Sequence, residues 1–185
     1  MTTFRGFIAV EISPPPKLIE FMQAVKHSDA PVKLVEPHNI HITLKFLGDA
    51  EEPLIDDIDY VIRQATASEH PFPIRLQGTG VFPNKNYMKV VWIGIEQGDP
   101  IARIAKTIDQ HLVNLGFPTE KRPFSPHLTI GRVKHGKNKD ELLQAVEAYS
   151  TVLFSELMVS NICLKKSELT TQGPIYTTLK TVSLS

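Results

Sequence analysis

The sequence predicts an α+β fold with two pseudo-symmetric lobes, each an antiparallel sheet with helices packed on its outer face, and a central cleft between the lobes. One observation behind this prediction is a four-residue pattern that occurs twice, as HITL at 41–44 and HLTI at 127–130. Each copy lies in a run of alternating polar and apolar residues, which is typical of a half-buried strand. The other observation is that the strands and helices around the two copies follow the same order.

In the first half of the chain we expect a strand, a helix, the first histidine strand, a second helix and another strand. Ser13 before three consecutive prolines predicts the start of the first helix, because serine is a common N-cap and proline fits the first turn. The apolar residues of the second helix recur at the spacing of one helical stripe. The expected ranges, in chain order, are 4–12, 14–25, 39–46, 51–67 and 72–79.

The second half repeats this order and adds strands at its end. Asp99 followed by Pro100 predicts the N-cap and the first position of the third helix, and Gly116 predicts its end. The expected ranges are a strand at 87–95, a helix at 99–115, the second histidine strand at 126–132, a helix at 139–149, and strands at 152–164 and 174–182.

The repeated order indicates a diverged internal duplication, in which the two histidines stand 86 positions apart (127 minus 41). We therefore expect a single bilobal domain over residues 1–185. Lobe one is expected at about 1–80 and lobe two at about 86–165, with a final strand at about 174–182. We place the hinge at 80–86 and expect the two histidine faces to look at each other across the cleft.

Composition and charge exclude some classes of function. The chain has 20 basic and 20 acidic residues and a pI of about 7.1, so no global field attracts it to nucleic acid or to an anionic membrane. Its one cysteine, Cys163, excludes an intramolecular disulfide and is typical of a reducing compartment. The sequence has no signal-peptide pattern and no apolar run near the ~20 residues of a membrane helix. We expect a cytoplasmic monomer with no membrane partner.

The two motifs place a histidine and a threonine side by side on one strand face. Residues two apart share a face, so His41 lies beside Thr43 and His127 lies beside Thr129. Imidazole has an ordinary pKa of about 6.5, which suits a histidine pair to giving and taking protons near neutral pH. We predict that the two histidines are catalytic and that the two threonine hydroxyls bind substrate.

Phe46 and Arg132 are further candidates for substrate binding. Both occupy positions that face the core if the strand alternation continues unbroken. Phe46 is then a core residue, although an aromatic ring near the cleft could stack on a base. Arg132 reaches phosphate only if the strand bends at its end, and it is otherwise a surface arginine.

The remaining histidines and lysines give no metal or cofactor site. His38 is three residues from His41, which puts it on the opposite strand face, and no cysteine or carboxylate completes a ligand set. We expect no metal and no cofactor. The loop KHGKNK at 134–139, with Lys121 and Arg122, is either a local basic rim for RNA or a solvated run of charge.

The paired motifs, as HITLKFLG and HLTIGR, resemble those of the two-histidine (2H) phosphoesterases. Within that superfamily the chain is most similar to the RNA 2′,3′-cyclic phosphodiesterases, historically called 2′-5′ RNA ligases. Further matching pieces are RGFIA at 5–9, VVWIG at 90–94, SEL at 167–169 and GPIY at 173–176. Lys89 stands near the place that an arginine takes in many relatives.

The resemblance implies metal-independent hydrolysis of RNA 2′,3′-cyclic phosphate ends to 2′-phosphomonoesters. It implies that His41 donates a proton to the ribose 3′-oxygen and that His127 accepts a proton from the attacking water. It also implies that the same groups could carry out reversible 2′-5′ RNA ligation. The residues alone leave the two histidine roles interchangeable, because the lobes are nearly symmetric.

Two alternatives stay open at this point. The substrate could be a 2′-5′ linked oligonucleotide or a small cyclic nucleotide such as ADP-ribose 1″,2″-cyclic phosphate. The chain could also be a non-catalytic RNA-binding module, although binding alone calls for arginine and lysine more than for histidine. We expect its partners to be RNA ends or small cyclic nucleotides.

Overall fold

The computed structural model describes residues 2–185, which form nine strands, four α-helices and three short 3₁₀-helices. The strands are β1 (Thr3–Glu11), β2 (Val32–Leu34), β3 (His41–Glu51), β4 (Phe72–Asn84), β5 (Tyr87–Glu96), β6 (His127–Val133), β7 (Leu153–Val159), β8 (Asn161–Thr170) and β9 (Gly173–Ser183). The helices are α1 (Pro16–His27), α2 (Ile55–Thr66), α3 (Asp99–Leu112) and α4 (Lys139–Glu147).

The strands form two antiparallel sheets, which confirms the predicted α+β architecture of two lobes. The first sheet has the order β3-β1-β8-β9, and the second has the order β2-β6-β5-β4-β7. Each sheet contains one motif strand, β3 in the first and β6 in the second. These two strands contact each other, so the two motifs meet where the sheets adjoin.

The lobes do not follow the two halves of the chain, and the expected boundaries at 1–80 and 86–165 differ from the sheets. Strand β4, expected in lobe one, pairs with β5 and β7 in the second sheet. The long strand expected at 152–164 breaks at Ser160, so that β7 lies in the second sheet while β8 pairs with β1 in the first. Residues 80–86, the expected hinge, form the end of β4 and the turn into β5, and both of these strands lie in the second sheet. Alternation identifies a strand, but it does not identify the strand's neighbours.

The helices exchange between the lobes in the same way. Helix α1 follows a strand of the first sheet but packs with α4 against the second sheet. Helix α3 follows a strand of the second sheet but packs with α2 against the first. Each outer layer therefore combines one helix from each half of the chain, and the exchange is reciprocal, as it is around a pseudo-two-fold axis.

The helix ends agree with the sequence in part. Gly116 has φ of 88°, the left-handed conformation that ends a helix, as predicted. Ser13 is not an N-cap, because α1 begins after Pro15 and has no side-chain cap. The N-cap of α3 is Gly98 rather than Asp99, which lies in the first turn. No helix within residues 2–185 is long and apolar enough to span a membrane.

A buried ion cluster ties the first motif strand to the chain that leads to the second motif. Lys45 of β3 is only 3% exposed, and its Nζ lies 2.6 Å from Oδ1 of Asp109 on α3. The same Nζ donates to the Pro118 carbonyl at 2.7 Å and lies 3.3 Å from the Glu120 carboxylate. The Asp109 carboxylate also accepts the backbone N–H of Glu120 at 3.1 Å. The cluster therefore fixes the segment that precedes His127 onto the strand that carries His41.

We expect the substitution Asp109→Asn to lower the free energy of unfolding by about 3 kcal/mol, because it leaves the buried Lys45 ammonium without its closest charge partner. Urea denaturation measures this loss. Glu120→Gln is the matched control, and it should cost less than about 1 kcal/mol because Glu120 is mostly exposed. Equal losses for the two variants would contradict the assignment of Asp109 as the main partner.

Candidate active site

A β-bulge interrupts the first motif strand at its fourth residue. Ile8 and Ala9, adjacent in β1, pair with Lys45 and Thr43, so Leu44 is the extra residue between them. A bulge of this kind shifts the alternation of side chains by one residue. The alternation of side chains before Leu44 is therefore one residue out of phase with the alternation after it.

The second motif strand carries a bulge at the equivalent residue. Val91 and Trp92, adjacent in β5, pair with Gly131 and Thr129, which leaves Ile130 as the extra residue. The two copies of the motif therefore share a backbone irregularity as well as a sequence pattern. In the second copy the sequence shows the shift, because Arg132 falls at a core position and the next apolar residue is Val133, whereas in the first copy the apolar Phe46 conceals it.

The bulges bring Phe46 and Arg132 out of the core, which corrects the expectation from unbroken alternation. Phe46 is 62% exposed, and Arg132 is also exposed. Phe46 lies on the same side of the sheet as Phe7 and His41, because its ring centroid is 6.3 Å from that of Phe7. Phe46 and Arg132 hold equivalent places in the two strands, two residues after each bulge.

The His41 ring is held in one orientation by two hydrogen bonds. Its Nδ1 lies 2.7 Å from the backbone carbonyl of Asn39, and its Nε2 lies 2.9 Å from the hydroxyl of Thr43. A carbonyl oxygen can only accept, so Nδ1 carries the proton. In neutral His41, Nε2 is then the free base and accepts the threonine hydrogen. The expected pairing of the histidine with its threonine neighbour is present in this motif.

The His127 ring repeats the first of these bonds. Its Nδ1 donates to the backbone carbonyl of Ser125 at 2.8 Å, again two residues before the histidine. The edge of the Phe82 ring packs against the imidazole, with centroids 5.1 Å apart. Both histidines therefore have the same tautomer, with Nε2 as the atom available for proton transfer. Thr129 lies two residues further along this strand, partly exposed.

Aromatic rings surround His41, and one of them comes from the last strand. The Phe7 centroid lies 4.8 Å from that of His41, and Tyr176 of β9 makes an edge contact at 5.4 Å. Asn39 Nδ2 donates to the Pro174 carbonyl at 3.0 Å, which fixes the start of β9 beside the motif strand. Phe7 is buried, and it also packs on the catalytic candidate. Sequence reasoning missed Tyr176 as a site residue, and only its place in the segment GPIY pointed to it.

Arg132 connects the second motif strand with this aromatic cluster. Burial raises the pKa of the Tyr176 hydroxyl, and the positive charge of Arg132 opposes that rise. Arg132 therefore acts electrostatically on a residue that touches His41. The two motifs contribute to one environment, although the joint action of their histidines stays a prediction.

An ion pair on the first sheet, between Glu11 and Lys165, acts electrostatically on His41. Glu11 lies directly opposite His41 across the β1–β3 ladder, and Lys165 of β8 donates to the Glu11 carboxylate and, at 2.8 Å, to the Thr178 hydroxyl. The pKa of His41 is lowered from its ordinary value, first because burial disfavours the imidazolium and further because Lys165 repels it. The Asn39 carbonyl and the Glu11 carboxylate oppose this shift. No sequence pattern pointed to this pair.

A cavity of about 520 Å³ opens beside His41 and extends over the first sheet. Its walls include Glu11, Cys163, Lys165 and Tyr176, whereas His127 is not part of its lining. The volume is in the range of small-molecule sites. Within residues 2–185, no three His, Cys, Asp or Glu side chains gather in a way that could hold a metal ion.

A sequence model of the 2′-5′ RNA ligase superfamily matches residues 14–170, most of the chain. The chain belongs to the 2′-5′ RNA ligase superfamily. Two proteins named RNA 2′,3′-cyclic phosphodiesterase are similar over nearly their whole length. The one from Methanothermobacter thermautotrophicus is 39% identical over 97% of this chain and 98% of its own. The one from Methanocaldococcus jannaschii is 42% identical over 95% of this chain and 98% of its own.

Solved structures of similar proteins agree with the superfamily fold. The crystal structure of TT0787 from Thermus thermophilus has 30% sequence identity and a TM-score of 0.75, covering 97% of both chains. E. coli LigT in its apo form has 23% identity and a TM-score of 0.68, covering 100% of this chain and 99% of its own. The similarity to E. coli LigT is a similarity of fold.

We expect the substitution Lys165→Met to raise the pKa of His41. It removes a cation that repels the imidazolium, and it frees the Glu11 carboxylate to attract it, so both changes favour the charged form. Glu11→Gln should have the opposite effect for the same reason. The His41 Cε1–H chemical shift, followed by NMR over a pH titration, measures both shifts.

Lys180→Met is the control for this titration, because Lys180 pairs with Asp56 on another part of the surface. The His41 resonance is assigned by its loss in His41→Gln. Movement of the His41 pKa in the same direction for Lys165→Met and Glu11→Gln would contradict the electrostatic account.

Proposed function

We propose that this protein hydrolyses RNA 2′,3′-cyclic phosphate ends to 2′-phosphomonoesters, with His41 and His127 as the proton-transferring pair. The observation that carries the proposal is the matched presentation of the two rings. Each Nδ1 is held by the carbonyl two residues earlier, so each Nε2 is available for chemistry. Membership of the superfamily, and relatives named RNA 2′,3′-cyclic phosphodiesterase, support the substrate class.

The reaction needs two proton transfers on opposite sides of phosphorus. Water attacks the phosphorus in line with the ribose 3′-oxygen, forming one P–O bond while the other breaks. His127 Nε2 takes the proton from the attacking water. His41, protonated at Nε2, gives its proton to the departing 3′-oxygen. The phosphate stays on the 2′-oxygen, and the pair ends with its protonation states exchanged.

Hydrogen-bond donors near the pair can hold the phosphate oxygens. Thr43 Oγ1 already lies 2.9 Å from His41 Nε2, so it is within reach of any group bound to that nitrogen. Thr129 is its equivalent in the second motif, and Arg132 adds a positive charge. Donors fixed in place before the reaction stabilise charge on the non-bridging oxygens without having to reorganise.

The lowered pKa of His41 fits a group whose charged form gains stability when substrate binds. Burial shifts the free imidazole toward its neutral form. A bound phosphate brings negative charge next to the ring, and this charge favours the imidazolium. His41 is then a strong proton donor in the complex because its environment otherwise disfavours the charged form.

The open alternatives use the same groups. A small cyclic nucleotide is favoured as a second substrate by the cavity of about 520 Å³ on the His41 side, which has room for the base and ribose while the phosphate meets the histidine pair outside the cavity. The 2′-5′ joining of RNA ends runs in the same direction as the hydrolysis, with a 5′-hydroxyl in place of water as the group that attacks the cyclic phosphate. The new P–O bond gives the 2′-5′ phosphodiester, and the 3′-oxygen leaves with the proton from His41. We further propose that the protein acts in the cytoplasm and as a monomer, in keeping with its single cysteine and its complete set of motifs in one chain.

We expect activity to be unchanged after EDTA treatment, because protons and hydrogen-bond donors cover the charges that develop in the reaction. The assay uses chelated protein on nucleoside 2′,3′-cyclic phosphates, and the phosphomonoester isomer is identified by chromatography against 2′- and 3′-standards. The expected product is the 2′-isomer. Loss of activity that a divalent metal restores would contradict the proton-only mechanism, and a 3′-product would reverse the assignment of the leaving oxygen.

We expect His41→Ala and His127→Ala each to lower kcat by roughly 10²–10⁴-fold, because each removes one proton transfer. The double variant should lose far less than the product of the two single losses, since the groups act as a unit. Thr43→Val and Thr129→Val keep the β-branched shape but remove the hydroxyl, and they should slow turnover by a smaller factor. Steady-state kinetics on the cyclic substrate measure all five variants.

His111→Ala is the control, because His111 is an exposed histidine on α3, outside the cleft. It should retain the parent rate. Parent-level activity in both His41→Ala and His127→Ala would remove the basis of the enzymatic proposal and favour an RNA-binding module.

A further inference from the structure

The second sheet carries a cluster of cations around an exposed aromatic ring, at the end where β5 begins and β6 ends. Its members come from β5 and from the segment after β6, and they surround one small depression. They are Tyr87, Lys89, Lys134, Lys137 and Lys139, which we call the basic surface. The two segments are 45 or more positions apart in sequence (134 minus 89), and the pairing of β5 with β6 brings them together.

The lysines of the basic surface are not neutralised by acidic neighbours. Across the part of the chain that the structure describes, the ion pairs include none of these four ammonium groups. The nearby Lys85 differs, because its Nζ lies 2.7 Å from the Glu147 carboxylate. In a chain with equal numbers of acidic and basic residues, this surface is a local excess of positive charge.

The basic surface continues the cleft along β6. Arg132 pairs with Val90 of β5 and with Lys33 of β2, and the ladder with β2 extends one step further, because the Lys134 backbone N–H donates to the Pro31 carbonyl at 2.8 Å. Residues two apart share a strand face, so Lys134 follows Arg132 on the cleft side about 7 Å further on. The polar row that begins at His127 therefore extends to Lys134, and the loop after it leads through Lys137 to Lys139 at the start of α4.

A third bulge places Tyr87 on the same face. Phe82 and Pro83 pair with Val90 and Met88, so Lys89 is the extra residue, and the alternation shifts there. Met88 is buried, while Tyr87 faces the cleft side and is 59% exposed. Lys89 Nζ lies 4.6 Å from the centroid of its ring. A cation on one side of an exposed ring strengthens a platform whose other side is open for stacking.

We propose that the basic surface binds the RNA strand on the 5′ side of the cyclic phosphate, with backbone phosphates on the lysines and a base on Tyr87. A 2′,3′-cyclic phosphate ends the strand at its 3′ side, so the rest of the strand must leave the cleft on the 5′ side. A positive track with one aromatic platform is the combination that holds single-stranded RNA without reading its sequence. The inference rests on the proposed function, and it names an RNA chain rather than a mononucleotide as the preferred substrate.

The test compares two substrates on one variant, Lys134→Gln/Lys137→Gln/Lys139→Gln. One substrate is a nucleoside 2′,3′-cyclic phosphate, and the other is an RNA of about ten nucleotides with the same end. We expect kcat/KM on the RNA to fall at least about tenfold at low salt, mainly through KM, since three phosphate contacts are lost. The value on the mononucleotide should not change. Tyr87→Ala should show the same selectivity for the RNA with a smaller loss.

Salt dependence gives an independent readout. For the parent, log kcat/KM on the RNA should fall steeply between about 50 mM and 200 mM salt. For the triple variant the slope should be shallower by about 2, given a contribution near 0.7 per contact on a single strand. The matched control is Lys17→Gln/Lys26→Gln/Lys106→Gln, which removes three exposed lysines from the outer helices and should match the parent.

The outcomes separate the two proposals. Equal losses on both substrates, or no loss on either, would overturn the role of the basic surface while leaving the proposed hydrolysis intact. An inactive parent would overturn the hydrolysis. Fluorescence anisotropy of the labelled RNA then tests the binding role of the basic surface independently of activity. Weaker binding by the triple variant than by the control variant supports it, and equal binding overturns it.

Discussion

The β-bulge at the fourth residue of each motif is the constraint on which the cleft depends. A strand of strict period two would place Phe46 and Arg132 in the core, on the side of Leu44 and Ile130. One extra residue turns them to the face of the histidines and threonines. The third cleft position of each strand is then taken by Phe46 or Arg132 instead of Lys45 or Gly131, while the aliphatic side chains stay buried.

The residue after each bulge points away from the cleft, toward the other side of its sheet. The two sheets make space for that residue in different ways. In β3 that residue is Lys45, which reaches into the outer layer and needs the carboxylate of Asp109. In β6 it is Gly131, where a Cβ would lie 2.6 Å from a methyl of Val32. The glycine lets β2 pair closely as an edge strand, whereas the lysine recruits α3 and the loop behind it. The same irregularity thus has two solutions within one chain.

The chemistry of the site was accessible from the sequence because it is local. A histidine and a threonine two residues apart share a face whatever the rest of the fold does, and their repetition made the pattern specific. The position of nearly every strand also followed from alternation. By contrast, Tyr176, Glu11 and Lys165 reach His41 only through the pairing of β1 with β3 and β8, and of β8 with β9. Pairing partners are non-local, and nothing in the period of a strand encodes them.

The exchange of strands between the sheets has a consequence for how such a molecule could arise. A cut in the turn between β4 and β5 leaves each fragment with strands of both sheets and with one helix for each outer layer. Neither half of the chain therefore contains a complete sheet together with the two helices that cover it. An ancestor of half this length would have assembled the same cleft as two entwined copies, each lending a strand and a helix to the other. Fusion of the two copies into one chain would then have made the cleft permanent, whereas the homodimer had a cleft only while its copies were associated.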